Sequence, residues 1–372
     1  MLALGQARTA LHLCALRANF RACNLGQRAY SGPTSRGVAR HPPHRSITHH
    51  SSKRVFPTLI ANASRMSAQG SDVPDIVSAQ WLKDRLADVK VLDASWYLPV
   101  HKRDAVEEFK ASRLPGAQFF DLDAISDTSV DLPHMLPSEA AFAAAADALC
   151  INPDDTIVVY DRLGAFSSPR AWWTWHVFGH KRVAVLDGGL PAWVEAGGEL
   201  ESTPVSDGAL TAPGAAAAAA QGPDAGGRPG SRYPAHLDSS QVASWRDVLA
   251  AVEAGTTDNL VDARPAGRWR GEAPEVRPGL ASGHIPGSKN LPWDAVQSGG
   301  RFKPAEQLRA AFQGAGADLG RPLTLSCGSG TTACVLLLAA RRAAPGARAT
   351  VYDGSWSEWG GLPGVPVAKG AA

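Results

Sequence analysis

The segment Leu323–Ala340 holds the residues with the clearest chemical potential in the chain. It starts as a short apolar run, continues as C-G-S-G-T-T-A from Cys327, and ends in an apolar, helix-like run. A strand that leads through a glycine-containing loop into a helix forms a cradle for anions, because loop N–H groups converge and the helix N-terminus adds partial positive charge. A thiolate is stabilised at the mouth of such a cradle, so the segment predicts a cysteine nucleophile. The glycines predict a tight loop with at least one residue at positive φ.

This cysteine has two other interpretations. A cysteine at the end of a core strand is common, and the segment alone also fits that interpretation. Cysteine phosphatases use a thiolate in a similar cradle, but they need an arginine six positions after the cysteine, where this chain has Ala333. Cys334 is predicted as a core residue of the following helix rather than a resolving thiol, and Cys150 as a structural residue. Five cysteines without a C-x-x-C motif favour a reducing compartment, with no disulfide framework and no zinc site.

The N-terminal segment differs in composition from the rest of the chain. Residues 1–71 contain nine arginines, one lysine and no acidic residue, with four arginines among apolar residues in the first 30 positions. This composition is typical of a transit peptide, and R-A-Y-S at Arg28–Ser31 resembles a mitochondrial processing site. We therefore predict residues 1–66 as a disordered leader that directs the protein to the mitochondrion. Chloroplast import and a cytosolic form that starts at Met66 are the alternatives.

The remaining charge and hydropathy exclude several functional classes. Residues 72–372 carry 27 basic and 35 acidic residues, a net charge of about −8, which gives no indication of a nucleic-acid partner. No run approaches 18 uninterrupted apolar residues, so we expect no membrane-spanning helix.

The chain after the leader repeats one order of elements twice. Short apolar strands alternate with helices, which predicts an α/β fold with parallel sheets flanked by helices. The first-half motifs L-D-A-S, R-L-P-G and L-D-G-G recur as V-D-A-R, H-I-P-G and Y-D-G-S. Their spacing of roughly 165 residues indicates a tandem duplication.

A segment rich in Ala, Gly and Pro separates the two copies. We predict residues 202–235 as a linker, residues 72–201 as a non-catalytic domain and residues 236–368 as a catalytic domain. The loop of Cys327 corresponds to D-R-L-G-A-F-S-S-P from Asp161 in the first copy, which has no cysteine. The second copy is therefore expected to carry the chemistry, while the first shapes a cleft between the domains.

Together these motifs resemble the two-domain rhodanese family. The similar residues are the paired L-D-A-S and V-D-A-R strands, G-H-I-P-G-S, C-G-S-G-T-T-A and Y-D-G-S-W-S-E-W, within a match that extends from Val73 to Val367. The resemblance implies tandem rhodanese-like domains and sulfur transfer through a persulfide on Cys327, without a metal or organic cofactor. Thr331 departs from the valine that is usual in the family, a near-isosteric replacement that we expect to be tolerated.

Within the family, the loop is similar to that of members that use 3-mercaptopyruvate. Members that use thiosulfate carry Arg and Lys directly after the cysteine, where this chain has Gly328 and Ser329. Two cations suit the doubly charged thiosulfate ion. A neutral loop suits mercaptopyruvate, whose charge is on a carboxylate away from the sulfur.

The resemblance also implies which residues bind substrate. Arg268 in A-G-R-W-R-G and Arg277 in P-E-V-R-P match arginines that grip the substrate carboxylate, for which a guanidinium fork is the natural partner. The loop residues expected to contact the substrate or persulfide are Gly328, Gly330, Thr331 and Thr332.

A proton relay is implied by the same resemblance. Ser329, His134 and Asp123 match a Ser–His–Asp arrangement that assists proton transfer from the substrate thiol. From the residues alone, His134 would be a loop histidine and Asp123 a helix cap.

The implied reaction moves sulfur from 3-mercaptopyruvate to Cys327 and then to thioredoxin, a small thiol or cyanide, with release of pyruvate. Thiosulfate:cyanide sulfur transfer on the same fold is the nearest alternative. A non-catalytic sulfur-carrier or binding module is a further alternative, against which Cys327 and the two arginines argue.

Overall fold

Two five-stranded parallel sheets form the frame of the protein in the computed structural model, which describes residues 73–205, 210 and 233–371. The predicted leader and residues 206–209 and 211–232 of the predicted linker lie outside the described residues. We call residues 73–205 the first domain and residues 239–371 the second domain.

The first domain alternates strands and helices as predicted. Its strands are β1 (Ile76–Val77), β2 (Val89–Asp93), β3 (Gln118–Phe119), β4 (Thr156–Tyr160) and β5 (Val183–Leu186). Its helices are α1 (Ala79–Lys83), α2 (Ala105–Ala111), α3 (Glu139–Ala148), α4 (Ser168–Val177) and α5 (Gly189–Glu195). A 3₁₀-helix spans Pro99–His101. The strands pair in the order β1-β5-β4-β2-β3, and every pair is parallel.

The second domain repeats this topology. Its parallel sheet contains β6 (Val242–Ala243), β7 (Leu260–Asp262), β8 (Lys289–Asn290), β11 (Leu323–Ser326) and β12 (Ala349–Tyr352) in the order β6-β12-β11-β7-β8. A small antiparallel ladder pairs β9 (Gln297–Ser298) with β10 (Arg301–Phe302). Its helices are α6 (Trp245–Glu253), α7 (Ala266–Trp269), α8 (Ala305–Gly314), α9 (Thr331–Ala343) and α10 (Ser355–Trp359). Three 3₁₀-helices are Ser239–Gln241, Thr257–Asn259 and Trp293–Val296. The shared strand order confirms the predicted duplication.

Local sequence explains why these elements form. All residues of β4 are buried, as expected for an apolar strand that is covered on both faces of a parallel sheet. Ser138 caps α3 by accepting the N–H of Ala141 at 3.2 Å. Ser244 and Asp247 form a capping box at the start of α6. None of the described helices is both long and apolar enough to cross a bilayer.

The two domains share one buried apolar cluster. It includes Trp172 and Trp175 of α4 and Val335 and Leu336 of α9, all fully buried. The helix that follows the first-domain loop therefore packs with the helix that follows the Cys327 loop. Burial of large side chains from both domains fixes the two loops relative to each other.

The C-terminal end of the predicted linker contains a buried aromatic residue, whereas the composition of the linker predicts little burial. Tyr233 is buried, its ring lies edge-on to Phe142 and Trp175, and its hydroxyl lies 2.8 Å from His180 Nδ1. An aromatic side chain at the border of a low-complexity stretch therefore joins the first-domain core.

The structure separates the two cysteines that were predicted to be structural. Cys334 is fully buried on α9, and burial raises the pKa of its thiol, in line with a core role. Cys150 is exposed just after α3, with φ of 50°. Cys150, Cys327 and Cys334 form no disulfide with one another.

Gly164 of the first domain and Gly300 of the second meet backbone to backbone, and this predicts a position-specific loss of stability. A Cβ on Gly164 would lie 2.5 Å from Gly300 Cα, at a φ of 117°. We expect Gly164→Ala to lower the free energy of unfolding by about 3 kcal/mol or more, because backbone strain and a backbone clash add. Urea unfolding followed by tryptophan fluorescence measures the loss.

Gly299→Ala is the matched control, because Gly299 has φ of 58° but an added Cβ would meet nothing within 4 Å. It should lose only about 1 kcal/mol from the left-handed backbone. Equal losses for the two variants would show that the close approach does not constrain the domains.

Candidate active site

Cys327 lies between β11 and α9, where the sequence predicts the nucleophile. Its side chain is buried, with 1% of the residue exposed. Gly330 ends the loop at φ of 75°, which confirms the predicted residue at positive φ. A Cβ on Gly330 would lie 2.5 Å from Arg170 Nη1 and 2.8 Å from the Asp353 carbonyl oxygen, so only glycine fits.

Gly330 lies at the rear of the loop, on the side of Arg170 and Asp353. The cleft in front of Cys327 is lined by the other loop residues, and Gly330 is not among them. Its N–H donates to Ser355 Oγ at 3.1 Å. Gly330 therefore shapes the loop by its backbone conformation rather than lining the cleft.

Ser355 ties the loop from below. Its hydroxyl oxygen accepts the N–H groups of Cys327 and Gly330, each at 3.1 Å, and its hydroxyl donates to the Tyr352 carbonyl at 2.7 Å. Two loop N–H groups are therefore bound internally and do not point to a common anion, unlike in the simple cradle expected from sequence. N–H groups at the start of α9 have no acceptor within the helix and remain for an anion.

A cleft of about 370 Å³ opens in front of Cys327 between the domains. The second domain contributes the loop and three arginines, while the first domain contributes an apolar and aromatic wall. The lining residues that matter here are Trp96, Leu163, Phe166, Arg264, Arg268, Val276, Arg277, Trp293, Cys327, Gly328, Ser329, Thr331 and Thr332. Among the described residues, no group of three or more His, Cys, Asp or Glu side chains is arranged to hold a metal.

Arg268 is oriented by a buried carboxylate. Its Nε donates to Glu275 Oε2 at 3.0 Å, and its Nη2 donates to the same oxygen. The other oxygen of Glu275 accepts from Arg264 Nη1 at 2.8 Å. Glu275 therefore fixes the planes of two guanidinium groups at the cleft and leaves part of Arg268 directed to a ligand.

Arg277 carries a charge that is poorly balanced by its surroundings. Its Nη1 donates to Ser357 Oγ at 3.2 Å. Burial lowers the pKa of Arg277, the nearby Arg268 lowers it further, and Cys327 and Asp123 offset this only in part. An anionic ligand in the cleft would relieve this imbalance, which suits a carboxylate.

The structure brings His134 of the first domain to Ser329 of the second. His134 Nδ1 lies 3.1 Å from Ser329 Oγ and 3.2 Å from Thr331 Oγ1. His134 Nε2 lies 3.1 Å from Asp123 Oδ1. Thr331, expected as a neutral replacement, thus adds a second hydroxyl within reach of the imidazole.

Asp123 stands at the outer end of this row, with 65% of its side chain exposed. Partial burial raises its pKa, but His134, the indole N–H of Trp96 at 3.0 Å and the charge of Arg277 outweigh this and lower the pKa. Asp123 is therefore a carboxylate at neutral pH, able to orient the imidazole and to stabilise its protonated form.

In the corresponding loop of the first domain, the side chain of one loop residue accepts the loop N–H groups. Asp161 occupies the position of Cys327, and one of its carboxylate oxygens accepts the N–H groups of Phe166, Ser167 and Ser168 at 2.8, 3.0 and 2.9 Å. Its other oxygen accepts the N–H of Leu163 at 2.8 Å. The first copy therefore has an anion cradle whose ligand is built into the chain.

Several residues that shape the site were not singled out in the sequence. Glu275, Ser355 and Ser357 act through contacts that only the fold creates. Glu275 stands two positions before Arg277, and the two serines lie within the Y-D-G-S-W-S-E-W motif, so their motif neighbours were the available signal.

The chain is similar to known proteins over most of its length. A family model, Rhodanese-like domain, matches it twice, at residues 78–196 and 244–362. Thiosulfate/3-mercaptopyruvate sulfurtransferase 1, mitochondrial, of Arabidopsis thaliana is 41% identical over 295 residues, covering 78% of this chain and 77% of that protein. The 3-mercaptopyruvate sulfurtransferase of Escherichia coli (strain K12) is 38% identical, covering 78% of this chain and 96% of that protein. The crystal structure of Tum1 from Saccharomyces cerevisiae matches with a TM-score of 0.68 at 30% identity, covering 80% of this chain and 98% of that chain.

The duplicated fold, the cysteine loop and these similarities agree. The chain belongs to the rhodanese family. It is a sulfurtransferase, as the sequence predicted.

Ser355 provides a test of how the loop is held. Its φ of 49° lies in the left-handed region. Replacement by Ala or Gly leaves two buried N–H groups without an acceptor, and we expect either variant to lower sulfur-transfer turnover about tenfold through a displaced Cys327. Ser355→Gly should be about 1 kcal/mol more stable than Ser355→Ala, because glycine relieves the backbone strain.

Steady-state turnover and urea unfolding of both variants measure these effects. Normal turnover in Ser355→Ala would contradict the assigned role, and equal stability of the two variants would contradict the strain.

Proposed function

We propose that this sulfurtransferase takes sulfur from 3-mercaptopyruvate and passes it to a thiol, such as that of thioredoxin or a small molecule, or to cyanide. The observation that carries the proposal is the composition of the cleft. Cys327 faces the side chains of Arg268 and Arg277, while the two residues after the cysteine carry no charge. One carboxylate and a separate neutral sulfur match this distribution better than a dianion does.

In the first half-reaction, the Cys327 thiolate attacks the sulfur of mercaptopyruvate. An S–S bond forms, the carbon–sulfur bond breaks, and its electron pair leaves with the carbon as the enolate of pyruvate. Arg268 and Arg277 hold the carboxylate and carbonyl of the substrate, where the negative charge of the enolate develops. The N-terminal N–H groups of α9 stabilise the Cys327 persulfide.

The row Ser329–His134–Asp123 manages the proton. The thiol proton of the substrate passes through Ser329 Oγ to His134 Nδ1, 3.1 Å away, and the imidazolium is balanced by Asp123. The enolate carbon then takes up a proton and pyruvate leaves. Charge and hydrogen balance over this half-reaction, which leaves a persulfide anion on Cys327.

In the second half-reaction, an acceptor thiolate or cyanide attacks the outer sulfur of the persulfide. The S–S bond breaks and Cys327 returns as a thiolate. The cleft of about 370 Å³ is wide enough to admit an acceptor after pyruvate has left.

Thiosulfate is the second candidate donor. The Arabidopsis relative is named for both thiosulfate and 3-mercaptopyruvate, which favours some activity with each. The uncharged Gly328 and Ser329 favour mercaptopyruvate as the better of the two.

Turnover with the two donors tests the proposal. With residues 67–372 and a thiol acceptor, we expect kcat/KM for mercaptopyruvate to exceed that for thiosulfate by at least about tenfold. The cleft arginines suit the single carboxylate of mercaptopyruvate, whereas the uncharged Gly328 and Ser329 do not suit the doubly charged thiosulfate ion. Cys327→Ser should release no pyruvate above background. A preference for thiosulfate would defeat the proposed substrate, and pyruvate release by Cys327→Ser would defeat the persulfide mechanism.

A charge change in the loop is the matched control. A Cβ on Gly328 would lie 3.4 Å from Arg268 Nη2, so a longer side chain can enter the cleft there. Gly328→Arg should raise kcat/KM for thiosulfate relative to mercaptopyruvate, whereas the neutral Gly328→Gln should not. The same ratio in both variants would show that loop charge does not select the donor.

We also propose that residues 1–66 direct the protein to mitochondria. The arginine-rich, acid-free composition of this segment supports the proposal, as does the mitochondrial name of the Arabidopsis relative. Chloroplast import is the competing outcome.

A fusion of residues 1–66 to a fluorescent protein, expressed in plant cells, distinguishes the two organelles. We expect mitochondrial fluorescence that becomes cytosolic when Arg8, Arg17, Arg21 and Arg28 are replaced by glutamine, since import depends on the basic face. Chloroplast fluorescence, or cytosolic fluorescence of the unchanged fusion, would contradict the proposal.

A further inference from the structure

A buried ion pair between the domains lies directly behind the active-site loop. Arg170 of α4 belongs to the first domain, and Asp353 follows β12 in the second. Arg170 Nη2 and Asp353 Oδ1 are 2.7 Å apart, and only 2% and 6% of the two side chains are exposed. Neither residue lines the cleft, so neither contacts the substrate.

The pair holds both ends of the segment that carries the imidazole. Arg170 Nη2 donates to the His134 carbonyl oxygen, and Asp353 Oδ2 accepts the N–H of Leu136 at 2.8 Å. His134 itself has φ of 60°, a conformation that side chains other than glycine rarely adopt. The contacts at its carbonyl and two residues beyond therefore fix the direction in which the ring points.

The duplicated half contains a related aspartate contact without a histidine, and its arginine comes from the C-terminal end of α9 rather than from the start of a helix. Asp187 follows β5, accepts the N–H of Phe302 at 2.9 Å, and lies 3.1 Å from Arg342 Nη1. Two residues before Phe302 stands Gly300, with φ of 76°. Gly300 thus corresponds to His134 in backbone conformation and in its place relative to the ion pair.

This comparison separates two roles of the pair. In the half around Asp187, the pair joins the domains and binds the backbone two residues after a glycine. In the half around Asp353, the aspartate contact and a further bond from Arg170 to the backbone carbonyl hold a left-handed residue whose imidazole lies 3.1 Å from Ser329 Oγ. The aspartate contact is common to both halves, and the catalytic consequence arises only where the held residue is a histidine.

We propose that Arg170 and Asp353 are positioning residues for proton transfer, which they support by aligning His134 with Ser329 across the domain interface. The inference rests on the proposed function. It concerns kcat rather than substrate affinity, because the arginines of the cleft are held by Glu275 and Ser357 instead.

Arg170→Lys is the informative variant. Lysine keeps the charge opposite Asp353, but one ammonium group does not reproduce the fork that serves both the carboxylate and the His134 carbonyl. We expect kcat for pyruvate release from mercaptopyruvate to fall between about tenfold and a hundredfold, with KM changed less than about twofold.

The same substitution in a His134→Gly background tests whether the effect passes through the imidazole. Glycine suits the backbone at this position, as Gly300 shows in the other half. With no imidazole to align, Arg170→Lys should change kcat less than about twofold in this background. An equal loss of kcat in both backgrounds, or a change in KM instead of kcat, would overturn the positioning role.

Arg342→Lys is the control for domain docking, since it alters the other ion pair between the domains, that with Asp187, and lies away from the cleft. It should lower the urea midpoint of unfolding while kcat stays within about twofold of the unchanged protein. A fall in kcat as large as that of Arg170→Lys would assign the effect to domain docking and overturn the proposal.

If Arg170→Lys does not fold, the double variant Arg170→Gln/Asp353→Asn replaces it in both backgrounds, because it leaves no unpaired buried charge. A fall in kcat that is confined to the background with His134 supports the positioning role, and an equal fall in both backgrounds overturns it. Absence of pyruvate release by the unchanged protein would defeat the proposed function itself, and is thereby distinguished from failure of the positioning role.

Discussion

The turn after β12 is the constraint on which the active site depends. Three residues spaced two apart, Asp353, Ser355 and Ser357, each hold a different component. Asp353 accepts an N–H from the first-domain segment that contains His134, and Ser355 accepts two N–H groups of the cysteine loop. Ser357 accepts a hydrogen bond from Arg277, and its hydroxyl donates to the carbonyl of Gly328 at 2.6 Å. The positions of Cys327, His134 and Arg277 thus all depend on one short stretch of backbone, and a shift of that stretch would move all three side chains.

Comparison of the two halves shows where backbone strain accompanies polar side chains. His134 and Ser355 both have positive φ, at 60° and 49°. Their counterparts in the other half, Gly300 and Gly189, reach similar conformations as glycines, at 76° and 55°. The working site therefore tolerates unfavourable backbone at two positions in return for a hydroxyl and an imidazole, as strained residues at functional sites commonly do.

The sequence predicted those features that depend on local pattern. The parallel sheets, the duplication and the loop of Cys327 follow from apolar runs, glycines and repeated motifs. The contact of His134 with Ser329 spans 195 positions and followed only from the resemblance to a family. Glu275 and Arg170 were missed, because their contacts depend on how distant segments pack. Periodicity and propensity contain no information about such contacts.

The carboxylate of Asp161 bears on whether the loop of the first half could hold a reactive cysteine. In the first half, the helix begins seven residues after Asp161, whereas α9 begins four residues after Cys327. A mutation of Asp161 to cysteine would thus place a thiol in a longer loop, beside a glycine pressed against Gly300, with no imidazole opposite. A site like that of Cys327 would require changes to the loop length, to the carboxylate and to the facing domain. The loop of the first half is therefore stabilised around its own carboxylate, and the space that an anion would take in a loop of this kind is already occupied.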